Sequence, residues 1–292
     1  MHGPRKILLF LSALFAASAA PAAADDAPLV LGSYAYPTLD RTRALAPLAG
    51  VIKSAAGQPV EIRLYPDPDA LAREIAAGEV DVAVLNLGAW LRAAHAPGVL
   101  PLAVLVPAPD VQERYRAVLL ASPTAGVDNV VGAARIAPGK RLAAVLPGST
   151  SGGLVQLAAL AEAAGGKAPA LTVSYAGSHE AAVMALVRDE TDFAAVVETP
   201  WVSWQAANSD RADKPQAIWR SEPLPPGPVV CRPTPRLDCA GLEAAQLGTD
   251  EAARDAARGV AAGWPELVGS DQFSAYDAAR YAALIAAAAP AP

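Results

Sequence analysis

One stretch of the chain occurs twice, and this repeat constrains the fold more than any other feature. Residues 64–86 read LYPDPDALAREIAAGEVDVAVLN, and residues 174–197 read SYAGSHEAAVMALVRDETDFAAVV. In each, an apolar run ends in a turn, a helix-forming stretch follows, and an acidic turn leads into a second apolar run. Identical residues occupy equivalent places: Tyr65 and Tyr175, Ala70 and Ala181, Glu79 and Glu190, Asp81 and Asp192, and Ala83 and Ala194. These five identities could arise by chance in an Ala-rich chain. The shared order of elements nevertheless predicts two similar α/β lobes.

Short apolar runs alternate with helix-forming stretches along the rest of the chain. Strands are predicted at residues 29–32, 60–65, 80–85, 115–120, 141–146 and 217–220. Helices are predicted at residues 42–56, 69–77, 250–264 and 276–289, with a further helix from residue 151 to the Gly165–Gly166 pair. This order predicts an α/β fold in which each lobe has a mainly parallel sheet flanked by helices.

Two lobes require connections, and the chain has two extended segments that suit this purpose. Residues 115–120 are apolar and precede a turn, and residues 217–220 precede a Pro-rich stretch. They predict a second lobe of residues 119–218, inserted into a first lobe of residues 25–118 and 219–292. The two crossing strands would form a hinge, and lobes joined in this way can close on a ligand.

The N-terminal residues have the three parts of a secretory signal peptide. An Arg-Lys pair forms a basic start at residues 5–6, an apolar run covers residues 7–17, and Ala22 and Ala24 supply small residues before a cleavage site. The apolar run is shorter than the about 20 residues that span a membrane, although an uncleaved anchor is the alternative. No cysteine adjoins the cleavage site, so lipid attachment is not expected. Residues 1–24 are predicted to be a signal peptide and the remainder to be exported.

Charge and residue content argue against several classes of function. The formal net charge is −6, and an acidic surface disfavours nucleic acid and anionic membranes as partners. The sequence has no zinc-type spacing of Cys and His, no nucleophile elbow and no catalytic carboxylate cluster, so neither an enzyme nor a metal or other cofactor is predicted. Cys231 and Cys239 either form a disulfide in an oxidising compartment or remain buried thiols.

Hydroxyl residues gather where one predicted strand leads into a helix. Residues 146–166 read LPGSTSGGLVQLAALAEAAGG, in which Ser149, Thr150 and Ser151 come before Gly152. A helix N-terminus offers free N–H groups and a partial positive charge, hydroxyls add donors, and glycine lets a ligand approach the backbone. These residues predict a cradle for a phosphate, phosphonate, sulfonate or carboxylate group. Ordinary helix capping by Ser149 or Ser151 is the alternative.

Other candidate site residues follow the ends of predicted strands, where ligands collect in open α/β sheets. His179 lies at a predicted helix start and could donate to an anion. Tyr34 and Tyr36 lie in the loop after the first strand and could cover a ligand. Asn86 ends a strand of the first lobe, and Glu198 lies near the equivalent place in the second. Capping, surface exposure and packing are the alternative roles.

Together these segments resemble one known family. GSTSGG at residues 148–153 is similar to the Ser-Thr-Ser-Gly helix start of the periplasmic phosphonate-, phosphite- and phosphate-binding proteins of ABC transporters. GSHEAAVMALVRDETDFAAV at residues 177–196 is similar to their Gly-Ser-His-Asp/Glu stretch, and residues 74–86, 218–232 and 273–281 also fit. The resemblance covers nearly the whole exported chain. It implies a type II periplasmic binding fold that closes on a ligand between two lobes.

The resemblance also implies part of the binding site. In the family, the residues that bind the ligand's oxyanion group occupy the positions of Ser149, Thr150, Ser151 and His179. The family often has aromatic residues where this chain has Pro68 and Leu85, and an acidic residue near Gly227. These departures make a 2-aminoethyl substituent on the ligand less expected than in relatives with the full acidic set.

We therefore expect a monomeric periplasmic protein that captures a small phosphorus oxyanion or phosphonate. It would deliver this anion to an ABC transporter permease in the inner membrane, with Tyr36, Asn86 and Glu198 completing the site. The alternatives are a ligand-sensing adaptor for a membrane receptor, and a protein of the same fold that binds a sulfonate or carboxylate.

Overall fold

The computed structural model of the chain describes residues 27–264 and 267–288. The predicted signal peptide, residues 1–24, lies outside the described residues. Within the described ranges, no helix combines the length and apolar character needed to cross a membrane.

Two β-sheets, each flanked by helices, make up the described chain. The strands are β1 (Leu29–Tyr34), β2 (Val60–Tyr65), β3 (Val82–Val84), β4 (Leu100–Leu105), β5 (Ala117–Ala121), β6 (Arg141–Ala144), β7 (Thr172–Tyr175), β8 (Phe193–Val197), β9 (Gln216–Arg220), β10 (Val229–Cys231) and β11 (Phe273–Ala275). The helices are α1 (Arg41–Ala56), α2 (Pro68–Ala77), α3 (Leu87–Ala93), α4 (Pro109–Arg114), α5 (Val130–Ile136), α6 (Val155–Ala163), α7 (His179–Val187), α8 (Glu198–Ala207), α9 (Cys239–Gln246), α10 (Glu251–Ala262) and α11 (Ala278–Ala288). A 3₁₀ turn lies at Pro123–Ala125 and a π-helical turn at Thr150–Leu154.

Five strands of the first sheet have the same arrangement as the five strands of the second, when the second order is taken in reverse. The first has the order β11-β4-β10-β3-β1-β2 and the second the order β7-β6-β8-β5-β9. In the first, β1 is parallel to β2 and β3, and β10 is antiparallel to β3 and β4. In the second, β6 is parallel to β7 and β8, and β5 is antiparallel to β8 and β9. The prediction of two similar α/β lobes is therefore confirmed. The expectation of mainly parallel sheets is wrong, because β10 and β5 each run antiparallel to both of their neighbours and make the two sheets mixed.

The acidic turns of the repeated segment have the same structural role in both lobes. Asp81 Oδ2 accepts a hydrogen bond from Val30 N–H at the start of β1, at 2.8 Å. Asp192 Oδ2 accepts one from Arg141 N–H at the start of β6, also at 2.8 Å. Each carboxylate ties the strand that follows the repeated helix to the first parallel strand of its lobe.

The repeated helices also begin in the same way, because a polar side chain caps each one. Asp67 Oδ1 accepts from Ala70 N–H at 2.7 Å before α2. Ser178 Oγ accepts from Ala181 N–H at 3.1 Å before α7. Such caps satisfy N–H groups that the helix itself leaves without partners, so these sequence positions determine where both helices start.

Apolar residues cover both faces of the second sheet. Leu119 and Phe193 belong to a cluster on one face, whereas Val118, Leu120 and Ala194 belong to a cluster on the other. Successive side chains of a strand point to opposite faces, so an uninterrupted apolar run such as β5 indicates a strand covered on both sides. In the first lobe, Cys231 at the end of β10 forms a disulfide with Cys239 at the start of α9.

Strands β5 and β9 lie where the two sheets are joined. They pair with each other, and the pairing extends past their ends because Leu224 N–H donates to Tyr115 O at 2.8 Å. Both strands belong entirely to the second sheet, so the predicted bounds of residues 119–218 fall within them. We propose that the hinge lies in the connecting segments, residues 106–116 and 221–228.

Apart from the helix predicted from residue 151, the predicted strands and helices begin and end within two residues of the observed ones. The C-terminal helix, predicted at residues 276–289, begins at Ala278 because Tyr276 N–H donates to Leu102 O and extends the pairing of β11 with β4. Residue 289 lies outside the described residues.

Candidate functional site

Ser149, Thr150 and Ser151 form a buried turn, called here the hydroxyl turn, after β6. Val145 N–H donates to Gly152 O at 2.8 Å, which ends the strand and folds the chain back. A Cβ at Gly152 would lie 2.4 Å from Val145 Cγ2, so this close approach requires glycine. The helix predicted from residue 151 begins only at Val155, because the π-helical turn comes first.

The three hydroxyls of this turn differ in what they contact. Thr150 Oγ1 accepts a hydrogen bond from Gly88 N–H at 2.6 Å. In the described chain, the Ser149 hydroxyl makes no capping bond to the turn, and neither Ser149 nor Ser151 forms a side-chain hydrogen bond with the protein. Both side chains are less than a tenth exposed. Ordinary capping therefore does not account for these two hydroxyls, which are available to a ligand.

His179 lies beside the hydroxyl turn as the first residue of α7. Strands β6 and β7 are parallel neighbours, and Gly177 N–H donates to Val145 O at 2.9 Å. The imidazole Nδ1 accepts from Val197 N–H at 3.0 Å, which places its proton on Nε2. Burial lowers the pKa of His179 from 6.5 to about 3. At neutral pH the side chain is therefore an uncharged N–H donor.

Residues of the first lobe contact this region directly. Asn86 Nδ2 donates to Gly148 O at 3.1 Å, while its Oδ1 caps α3 by accepting from Ala89 N–H at 2.8 Å. Tyr36 OH accepts a hydrogen bond from the backbone N–H of His179 at 3.2 Å. The structure thus brings together Tyr36 and Asn86 from one lobe and the hydroxyl turn and His179 from the other.

Glu198 and Tyr34 make other contacts. Glu198 Oε1 accepts from Arg220 Nε at 2.8 Å, so the carboxylate is engaged in an ion pair. Tyr34 packs edge-on against Trp264, with ring centroids 6.1 Å apart, which fits the packing alternative. A ligand role for Glu198 stays a prediction. Among the residues that the structure describes, no group of His, Cys, Asp and Glu could hold a metal ion.

The structure explains one departure from the resembled family. A Cβ at Gly227 would lie 2.1 Å from Leu85 O and 2.5 Å from the carbonyl carbon of Asn86. No side chain fits there on this backbone, so an acidic residue at Gly227 is excluded. A small, mainly apolar cavity adjoins this contact, and it is lined by Val84, Leu85, Asn86, Leu105, Tyr115, Gly227, Val229, Val260, Trp264, Leu267 and Phe273.

Gly88 lies at the contact between the lobes and was not among the residues predicted from the sequence. A Cβ at Gly88 would lie 2.7 Å from Gly148 O, 2.7 Å from Leu154 Cδ1 and 3.1 Å from Thr150 Oγ1. All three atoms belong to the second lobe. A glycine two residues after Asn86 is a weak signal in the sequence, because its importance depends on a neighbour 60 residues away, Gly148.

Gln156 was also not identified. Its side chain is fully buried, and Nε2 lies within 2.6 Å of Ser151 O and 3.0 Å of both Val118 O and Val196 O. The amide therefore ties the hydroxyl turn to β5 and β8. A lone polar residue in the apolar start of α6 was the available signal.

Comparison with known proteins agrees with this geometry. The family model of the periplasmic substrate-binding proteins of ABC phosphonate transporters matches residues 36–281. None of the curated proteins compared with the chain matches it significantly in sequence.

Solved structures from several bacteria share the fold. XAC2383 from Xanthomonas citri, bound to ATP, is 16% identical, with a TM-score of 0.69, over 89% of this chain and 96% of that one. PhnD1 from Prochlorococcus marinus, in complex with methylphosphonate, is 13% identical, with a TM-score of 0.63, over 88% and 95%. The binding protein of an ABC phosphonate transporter from Pseudomonas aeruginosa is 18% identical, with a TM-score of 0.62, over 89% and 85%.

These likenesses confirm the predicted type II periplasmic binding fold. The family match spans most of the chain, including the hydroxyl turn and every strand of the two sheets except β1. This chain belongs to the family of periplasmic substrate-binding proteins of ABC phosphonate transporters.

Proposed function

We propose that this protein binds a small phosphorus oxyanion or phosphonate between its lobes and delivers it to an ABC transporter permease in the inner membrane. The main support is a set of hydrogen-bond donors with no observed acceptor in the described chain, which lies beside the contact between the lobes. These donors are the hydroxyls of Ser149 and Ser151 and the neutral Nε2–H of His179. Several donors suit a tetrahedral oxyanion. A hydrogen bond to a charged acceptor contributes about 1.5–3 kcal/mol.

The lobe-one side of the site leaves little room for a substituent on the ligand. The cavity beside Asn86 is small and lined mainly by apolar residues, including Leu85 and Leu105. Gly227 leaves no room for a carboxylate that could pair with an ammonium group. These features favour phosphite or methylphosphonate over 2-aminoethylphosphonate.

The remaining parts of the proposal concern export and delivery. Residues 1–24 would be removed as the protein is exported, and the monomer would close at the connecting segments 106–116 and 221–228. The bonds from Asn86 to Gly148 and from Gly88 to Thr150 support closure, because they join the lobes directly. The closed form would dock on the permease, and it would act by binding rather than by catalysis.

A thermal-shift panel tests the ligand class. The exported chain is heated with phosphite, phosphate, methylphosphonate, 2-aminoethylphosphonate, methanesulfonate or acetate. A ligand at 100 times its Kd stabilises the folded state by about 2.7 kcal/mol, which raises Tm by roughly 5–10 °C in a chain of this size. The proposal fails if no phosphorus compound shifts Tm. A shift with methanesulfonate or acetate alone would move the protein to a different ligand class.

Variants of the hydroxyl turn test the site. Changing Ser149→Ala and Ser151→Ala together removes two proposed bonds, so the Kd for methylphosphonate should rise at least 100-fold. Ser54→Ala, on the exposed side of α1, is the matched control and should leave Kd unchanged. An unchanged Kd in the double variant would mean that the hydroxyls do not hold the anion. Loss of methylphosphonate uptake in cells lacking this protein would separate transport from sensing.

A further inference from the structure

A buried arginine lies behind the aromatic wall of the first lobe. Arg41 is 1% exposed, and its Cζ lies 4.0 Å from the ring centroids of both Tyr34 and Trp264. Its Nε donates to Gly263 O at 2.8 Å and its Nη1 to Tyr34 O at 2.9 Å. The rings and carbonyls hold the guanidinium in one orientation.

In the described chain, carbonyl oxygens and aromatic rings rather than a carboxylate contact this cation. Within residues 27–264 and 267–288, no carboxylate forms an ion pair with Arg41. The adjacent Asp40 is exposed and caps α1 through Arg43 N–H. Burying an unpaired charge is costly, and two carbonyl dipoles and the ring faces offset that cost only in part. The guanidinium therefore leaves a positive potential in its surroundings.

The proposed ligand site lies within reach of this potential. The Arg41 Cζ is 5.3 Å from the ring centroid of Tyr36. On the far end of that ring, Tyr36 OH accepts from His179 N–H beside the hydroxyl turn. The Tyr36 side chain therefore connects the guanidinium to the start of α7. Little water intervenes, because Tyr36 and His179 are both buried, so the field is weakly screened.

We propose that Arg41 is a specificity-determining residue, whose fixed charge favours ligands with the greatest negative charge and disfavours those that carry an ammonium group. This inference rests on the proposed function. Arg41 acts through the field and does not touch the ligand. Selectivity against zwitterionic aminoalkylphosphonates then has two causes: the lack of an acidic partner at Gly227 and the repulsion from Arg41.

The size of the effect follows from Coulomb's law. A unit charge about 10 Å away, at an effective dielectric constant of about 20, changes the affinity for a monoanion roughly tenfold. A dianion gains more, whereas an ammonium group on the ligand cancels part of the gain. Arg41→Gln should therefore raise the Kd for methylphosphonate roughly tenfold or more and that for 2-aminoethylphosphonate by a smaller factor.

The measured quantity is the ratio of the two Kd values, determined by calorimetry at pH 8.5. In Arg41→Gln and in Arg41→Met, the preference for methylphosphonate should fall severalfold. Arg41→Lys keeps the charge and should keep most of the preference. Trp264→Phe is the matched control, because it removes the bond from Trp264 Nε1 to Tyr34 OH without changing any charge. It should alter both Kd values by the same factor.

Several results would overturn the inference. One is an unchanged ratio in Arg41→Gln and Arg41→Met. Another is an equal fall of the ratio in Trp264→Phe, which would indicate a structural role. If neither charge-removing variant folds, the wild type provides a second test. Methanesulfonate has the same shape as methylphosphonate and one negative charge fewer. The inference is overturned if the wild type does not bind methylphosphonate more tightly than methanesulfonate. A wild type that binds no phosphorus compound refutes the proposed function instead.

Discussion

Gly88→Ala tests whether binding depends on closure of the lobes. Gly88 lies in α3 with an ordinary helical backbone, so alanine suits the position within the first lobe. The three atoms nearest to the added methyl group all belong to the second lobe, with Gly148 O and Leu154 Cδ1 both at 2.7 Å. The substitution should therefore leave each lobe intact and oppose their contact.

The expected cost has two parts. Relieving a 2.7 Å contact requires the lobes to separate by several tenths of an ångström, and such overpacking costs about 1–3 kcal/mol. The same movement weakens the 2.6 Å bond from Gly88 N–H to Thr150 Oγ1, which contributes about 1 kcal/mol. The sum of about 2–4 kcal/mol corresponds to a rise in Kd of about 30-fold to 1,000-fold.

Calorimetry with methylphosphonate measures Kd, and the Tm without ligand reports folding. Gly50→Ala is the matched control, since Gly50 also lies in a helix of the first lobe and a Cβ there meets no atom within 4 Å. Its Kd should equal that of the wild type, and the Tm of both variants should stay within a few degrees of the wild-type value. A Kd for Gly88→Ala within twofold of the wild-type value would refute the argument that the ligand is held by the closed lobes.

Two predictions concern stability. His179 has a pKa of about 3 when folded and 6.5 when exposed, so protons favour the unfolded state as pH falls below 6.5, at about 1.4 kcal/mol per pH unit. Between pH 7 and pH 5 the wild type should lose about 2 kcal/mol more stability than His179→Gln, and parallel denaturation midpoints in the two proteins would contradict a depressed pKa. The disulfide closes a loop with a sequence separation of 8, so replacing Cys231 and Cys239 with serine should cost about 2–3 kcal/mol. A reducing agent should lower the wild-type Tm to that of the double variant with Kd unchanged, and a Tm that resists reduction would argue against the bridge.

The parts of the fold predictable from sequence depend on short-range patterns. The caps at Asp67 and Ser178 bond to N–H groups three residues further along their own helices. The acidic turns at Asp81 and Asp192 lie next to the repeated helix in sequence, although their carboxylates bond to a strand 51 positions away in the same lobe. Periodicity and capping rules therefore locate the helices and strands of the repeat. Short elements such as β10 and β11, with three residues each, carry too little pattern to be recognised.

The candidate site was only partly predictable, because its long-range contacts leave no pattern in the local sequence. Ser149, Ser151 and His179 form a local pattern at helix starts. By contrast, Arg41 resembles a surface residue in the sequence, and its burial depends on Trp264, more than 200 positions away. The π-helical turn was missed because it depends on the return of Gly152 O to Val145 N–H.

The packing of Gly227 against the backbone at Leu85 and Asn86 restricts how this binding site can evolve. A carboxylate able to recognise an amine cannot be acquired there by one substitution, because even a methyl group collides with main-chain atoms. A prior shift of the segment 221–228 would have to be neutral before such a change could be selected. A change of ligand range is thus expected to begin in the connection between the lobes, or at another wall of the cavity, rather than at Gly227 itself.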